Sequence, residues 1–127
     1  MHAFRAAVEA GHIDTIGTLF TDDVVLHSPV AHRPYSGRAT VAAIISAVAS
    51  VLAGFRFEKE IDSGTGDHAL VFRATVDGLQ IQGCDFLHTG DDGLIDELTV
   101  MVRPLKAATV FAEKMSQAFA NVKPVIN

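Results

Sequence analysis

Cysteine, clustered positive charge and long apolar runs are scarce or missing in this sequence, and each shortage excludes a class of protein. The one cysteine, Cys84, excludes an internal disulfide and is typical of a reducing compartment. Lys and Arg number 10 against 15 Asp and Glu and do not cluster, which argues against nucleic-acid binding because phosphate recognition depends on such clusters. No run of about 18 apolar residues could span a membrane. No secretion signal is recognised either, so we expect a cytoplasmic protein.

The composition that remains is that of one globular domain. Hydrophobic residues make up 49% of the chain and charged residues 20%, which is typical of a folded protein. A chain of 127 residues has room for one hydrophobic core, so we expect a single domain over residues 1–127.

The first half of the chain has mostly helical periodicity. Apolar residues three and four apart predict a short helix over 4–11, a second over 13–20 and a long one over 38–52. Between them, Thr21-Asp22-Asp23 breaks the pattern, and residues 24–30 are predicted to form a strand that ends at Pro29 and the Arg33-Pro34 loop.

The second half alternates with the period of a strand. It predicts strands over 55–61, 69–76, 79–88 and 94–103, and Asp77-Gly78 is a strong hairpin signal. Pro104 ends the last strand, and a final helix follows over 106–120. Helices followed by an antiparallel meander predict an α+β domain.

Strand alternation places one acid among hydrocarbon. On one face of the strand over 79–88, Asp85 is the only polar side chain, and on the strand over 24–30 Ser28 has the same position among apolar neighbours. A charged carboxylate in such a place is costly, so we predict a raised pKa for Asp85. Two interpretations remain open: Asp85 faces a ligand, or it bonds to nearby backbone or lies at the wet rim of the sheet.

Three segments together resemble the nuclear transport factor 2-like superfamily, in its ketosteroid-isomerase and SnoaL-like branch. They are EAGHIDTIGTLFTDDVVLHSPV, PYSGRATVAAI and DFLHTGDDGLIDELTVMVRP, within residues 4–104. The resemblance implies a cone-shaped barrel, in which three N-terminal helices close a strongly curved mixed sheet around an apolar pocket, with a C-terminal helix added. It also implies a homodimer through the outer face of the sheet.

The resemblance assigns family roles to three positions. Ketosteroid isomerases use an aspartate base and an oxyanion hole made of a tyrosine and a protonated aspartate. The protonated aspartate matches Asp85, whereas Ser28 stands at the position of the base and Phe4 at that of the tyrosine. Neither replacement can do the work of the residue it replaces. His32, in the loop near Tyr35, is a candidate base because histidine titrates near neutral pH, although a surface histidine is the alternative interpretation.

We therefore predict a pocket for a hydrophobic small molecule with Asp85 and His32 as its catalytic candidates. No cofactor and no metal site are expected, since the histidines lack the spacing of a zinc site. Cys84 and the apolar stripe of the last helix (Val110, Phe111, Met115, Ala118 and Phe119) are interpreted as packing. The predicted ligand-binding residues are Phe4, Val8, Val24, Leu26, Ser28, Tyr35, Ile44, Ile45, Phe72, Ala74, Leu98, Val100 and Val102.

Three functions remain open. The protein is an acid/base isomerase or cyclase acting on a hydrophobic carbonyl compound, a binding protein in which Asp85 only orients the ligand, or a dimerisation module with a vestigial pocket.

Overall fold

Four helices and one six-stranded mixed sheet make up the computed structural model, which describes residues 2–119 and the last of these by its backbone alone. The helices are α1 (Ala3–Glu9), a 3₁₀ helix (Ile13–Leu19), α2 (Arg38–Val51) and α3 (Leu105–Phe119). The strands are β1 (Phe20–His27), β2 (Tyr35–Ser36), β3 (Ala53–Asp62), β4 (Asp67–Val76), β5 (Leu79–Thr89) and β6 (Ile95–Arg103). The predicted α+β class is confirmed.

The sheet is open. Its strand order is β2-β1-β6-β5-β4-β3, with β1 parallel to β6 and every other pair antiparallel. The two edges, β2 and β3, do not pair, so the mixed sheet is confirmed but it does not close into the cone-shaped barrel that the resemblance implies. Strand β2 is only two residues long, so most of β1 has no strand paired to its outer edge. Helices α2 and α3 pack on the inner face of the sheet.

The meander over β3–β6 agrees with the sequence to within two residues at each boundary. Its hairpin signal is confirmed, because Asp77 and Gly78 both have the positive φ (51° and 82°) that a type I′ turn requires. The long helix α2 ends one residue before the predicted end.

The first strand differs from its prediction. It begins at Phe20 and ends at His27, so the Thr21-Asp22-Asp23 segment lies inside β1 rather than interrupting the chain. A register shift against β6 between Phe20 and Val25 accommodates this exposed acidic segment. Ser28 and Val30 lie beyond the strand, β2 is not predicted at all, and the second helix is of the 3₁₀ type. Helix α3 begins at Leu105, and the predicted end at Ala120 lies outside the described residues.

Side chains divide between the two faces of the sheet as alternation predicts. Leu70, Phe72 and Ala74 of β4 are buried, and so are Ile81, Gly83, Asp85 and Leu87 of β5. On the outer face Phe86 is 43% exposed and Met101 59% exposed. Within the described residues, no helix is long and apolar enough to cross a membrane.

Candidate active site

A cavity of about 250 Å³ lies between the inner face of the sheet and the helices. Its wall is almost entirely hydrocarbon. Among the described residues that form it, only Asp85 and Ser28 have a polar side chain.

The lining side chains share one face of each helix or strand, and these faces meet at the cavity. Four residues on one side of α2, and Leu52 directly after the helix, contribute to the wall, and α1 and α3 each contribute a pair one turn apart. The α2 residues are Ile44, Ile45, Val48 and Ala49, and the two pairs are Phe4 with Val8 and Phe111 with Met115. The strands supply Leu26, Phe55, Phe57, Phe72, Asp85, Val100 and Val102.

Asp85 is the one buried charged or polar residue among those described, with 8% of its surface exposed. Its neighbours across the ladder are Leu70 on β4 and Val100 on β6. Within residues 2–119 its carboxyl has no hydrogen-bond or ion-pair partner, and burial alone raises its pKa from 3.8 to about 7. The raised pKa agrees with the sequence prediction, whereas a wet position at the rim of the sheet does not agree with this burial.

Three phenylalanine rings line the cavity from the side of β3 and β4. Phe55 stacks on Phe72 with ring centroids 4.8 Å apart and meets Phe57 edge-on at 4.9 Å. The tip of the Phe72 ring lies where a Cβ on Gly83 would be, so the glycine lets this ring lie directly against the backbone of β5. An aromatic surface therefore adjoins the strand that carries Asp85.

The polar loop after β1 contributes Ser28 and Pro29 to the wall. The hydroxyl of Ser28 accepts a hydrogen bond from the backbone N–H of Val30 (3.2 Å), which fixes the turn. His27 points to the opposite side, where its Nε2 lies 3.0 Å from Glu97. His32 is exposed and does not line the cavity.

Most residues proposed from the sequence come together at this cavity. Those that line it are Asp85, Phe4, Val8, Leu26, Ser28, Ile44, Ile45, Phe72, Val100 and Val102. The others do not line it: Val24, Ala74 and Leu98 are buried in the surrounding core, and Tyr35 lies half-buried on β2. Their part in ligand binding, like that of the lining residues, stays a prediction.

Several lining residues were not among the sequence candidates. Phe55 and Phe57 alternate onto the inner face of β3, a signal that was available in the sequence. Phe111 and Met115 were interpreted as packing, because nothing in the sequence places α3 over the cavity. Within the described residues, no group of three His, Cys, Asp or Glu side chains is placed to hold a metal ion.

Comparison with known proteins agrees with this geometry. Residues 1–98 match the family described as the SnoaL-like domain. No curated protein matches the chain significantly. A steroid delta-isomerase from Pseudomonas aeruginosa is 30% identical, with a TM-score of 0.83 and 94% of each chain covered.

Two further solved structures share the fold. A protein conserved in bacteria from Silicibacter pomeroyi, described as uncharacterised and cystatin-like, is 28% identical over 96% of this chain and 89% of that one, with a TM-score of 0.88. A hypothetical protein with a ketosteroid isomerase-like fold from Catenulispora acidiphila, in complex with trimethylamine, is 15% identical over 87% of this chain and 89% of that one, with a TM-score of 0.64. The chain belongs to the SnoaL-like domain family and has the nuclear transport factor 2-like, ketosteroid isomerase-like fold.

Proposed function

We propose that this protein binds an apolar small molecule that carries a carbonyl oxygen, and that the neutral carboxyl of Asp85 donates a hydrogen bond to that oxygen. The observation that carries the proposal is that Asp85 provides the one carboxyl among the described residues of a hydrocarbon cavity, with a pKa raised to about 7. With a pKa of about 7 the carboxyl is mostly protonated below pH 7, and in that form it is a hydrogen-bond donor as well as an acceptor.

The energetics of the cavity favour such a ligand. A hydrogen bond to a partner that leaves a buried polar group satisfied is worth about 1–3 kcal/mol relative to leaving that group unsatisfied, and a ligand oxygen that accepts a hydrogen bond from Asp85 supplies such a partner. The surrounding hydrocarbon contributes affinity for the apolar body of the ligand. The name of the relative from Pseudomonas aeruginosa, a steroid delta-isomerase, supports a ligand of this class.

The proposal extends from ligand binding to acid catalysis by Asp85. A neutral acid that bonds to a carbonyl stabilises the enolate formed when a proton leaves the adjacent carbon. Ser28 lines the cavity but is not a base at neutral pH, and Phe4 offers no hydrogen bond. Apart from Asp85, no described side chain in the cavity wall is a base, so isomerisation or cyclisation at this wall needs the ligand itself or water to take up the proton, and binding without turnover is the alternative.

The binding proposal is tested with a bicyclic ketone, 1-tetralone, against tetralin, the matching hydrocarbon. We expect the wild-type protein to prefer the ketone by about tenfold at pH 6, since one hydrogen bond to a buried donor has that effect. At pH 9 Asp85 is ionised and the preference is lost. Asp85→Asn, which still donates, keeps the preference at both pH values, whereas Asp85→Leu loses it at both. Equal binding of ketone and hydrocarbon to the wild-type protein at pH 6 contradicts the proposal.

Turnover is tested by exchange of the α-protons of 1-tetralone in D₂O, followed by NMR. If Asp85 assists enolisation, exchange is faster with the wild-type protein than with Asp85→Asn at saturating ligand. Equal exchange rates in the two proteins would leave Asp85 with an orienting role and support the binding protein.

An apolar amine is a second candidate ligand. The ionised form of Asp85 beside the rings of Phe55, Phe57 and Phe72 has the composition of a site for an alkylammonium ion, and a relative of the same fold binds trimethylamine. The pH dependence separates the two ligands. An ammonium ion requires the ionised carboxylate and binds more tightly above pH 7, whereas a ketone binds more tightly below it.

Homodimerisation through the outer face of the sheet is the remaining part of the proposal. Phe86 on β5 and Met101 on β6 are exposed there, and Cys84 lies between them beside Met101. Contiguous apolar side chains on an exposed sheet face are typical of interaction sites, and a second copy presents the same face in a twofold dimer.

A further inference from the structure

The cavity is smaller than the pockets that usually bind drug-sized ligands. A cavity of about 150 Å³ binds one benzene ring. On that scale about 250 Å³ accommodates about two fused rings. Pockets that bind drug-sized ligands have volumes of about 300–1,000 Å³.

Two phenylalanine rings occupy space that a larger ligand would need. Phe55 and Phe72 are stacked, with an interplanar angle of 25°, and both contribute to the cavity wall. Phe72 is 2% exposed; its ring stacks on Phe55, and the tip of the ring lies against the backbone at Gly83. The ring cannot swing aside without losing one of these contacts.

We infer that the Phe55–Phe72 stack sets the size of the ligand, so that the cavity admits a bicyclic compound and excludes a tetracyclic one. The inference rests on the proposed function for the ligand's carbonyl group, but the size limit concerns its hydrocarbon body. It therefore separates this chain's ligands from steroids, which have four fused rings.

The test uses two fluorescent hydrocarbons, naphthalene with two fused rings and pyrene with four. Pyrene buries more apolar surface, so a cavity without a size limit binds pyrene more tightly. We expect the wild-type protein to bind naphthalene at least about tenfold more tightly than pyrene, because a tetracycle cannot enter without displacing packed side chains. In Phe55→Ala and in Phe72→Leu, pyrene binding rises by about tenfold or more.

Phe20→Leu is the matched control, since Phe20 is fully buried but does not line the cavity. It should leave the naphthalene-to-pyrene ratio of the wild-type protein unchanged. Phe55 is only half-buried on an edge strand, so Phe55→Ala serves if Phe72→Leu does not fold. Tighter wild-type binding of pyrene, no binding of naphthalene, or an unchanged ratio in the folded variants would each overturn the inference.

The size limit and the recognition of the carbonyl group can fail independently in these measurements. The hydrocarbons have no oxygen, so a failure of the size limit appears in their ratio alone. A failure of carbonyl recognition appears as equal binding of 1-tetralone and tetralin, whatever the hydrocarbon ratio is.

Discussion

At the scale of single residues, Asp85 sets the pH dependence of stability. Its pKa is about 7 in the folded protein and 3.8 for an exposed aspartate, so the folded state holds its proton to higher pH. The contribution of Asp85 to the free energy of unfolding is therefore largest below about pH 4. It falls as the pH rises from about 4 to about 7. The full effect is on the order of 4 kcal/mol.

Asp85→Asn should remove this dependence, because an amide of the same shape does not ionise. We expect the variant to be more stable than the wild-type protein at pH 8 by about 2 kcal/mol or more, and the gap to shrink toward pH 4. Urea unfolding at several pH values measures this gap, with Asp23→Asn, a change at an exposed position of β1, as the control. A gap of the same size at pH 4 and pH 8 would contradict the assignment.

Gly83 is a second residue whose effect is local. A methyl group there would overlap the ring of Phe72 and approach the carbonyl oxygen of Met101 at 2.9 Å. We expect Gly83→Ala to cost about 1–3 kcal/mol of unfolding free energy, the usual range for overpacking. Gly90→Ala is the control, because its methyl group would make only an ordinary 3.5 Å contact with Asp92. Equal losses in the two variants in thermal or urea unfolding would show that the ring does not need the glycine.

At the scale of elements, Arg38 ties the start of α2 to β1. Its guanidinium donates two hydrogen bonds to the carbonyl oxygen of Phe20, at 3.2 and 3.1 Å, and pairs with Asp22 at 2.8 Å. Loss of the buried carbonyl's partners should cost about 1 kcal/mol in Arg38→Met. Asp22 is exposed, so Asp22→Asn should cost less than about 0.5 kcal/mol. Urea unfolding of both variants checks the order, and an equal cost would contradict it.

The elements also show where sequence reasoning succeeds. The strands β3–β6 follow from alternation and from the Asp77-Gly78 turn, and the same alternation places Asp85 on the inner face. The position of β2 does not follow, because two residues carry no periodicity and pair only through their contact with Val25 and Leu26. Residues 21–23 are extended between Phe20 and Val25, both of which pair with β6, although their own composition favours a turn.

At the scale of the whole molecule, closure of the sheet and the place of α3 could not be predicted from residues alone. Both depend on contacts between segments far apart in the chain. The apolar stripe with Phe111 and Met115 looks the same whether it packs on a core or lines a cavity. The family resemblance correctly gave the fold, but it implied a barrel where the sheet is open.

The proposed dimer is a prediction at the same scale. A charge at Met101 would be buried without a partner in the interface, so Met101→Glu should produce monomers. Sedimentation velocity measures the mass, and Leu105→Glu is the control, because Leu105 is exposed at the start of α3. A monomeric wild-type protein at micromolar concentration would contradict the dimer.

The most direct test of the central claim is a titration of the Asp85 carboxyl carbon by ¹³C NMR, with its signal assigned by its absence in Asp85→Asn. We expect a midpoint at about pH 7 in the free protein and a higher one with 1-tetralone bound, since a carbonyl oxygen favours the neutral acid. A midpoint near pH 4, the value of an ordinary exposed aspartate, would contradict the account.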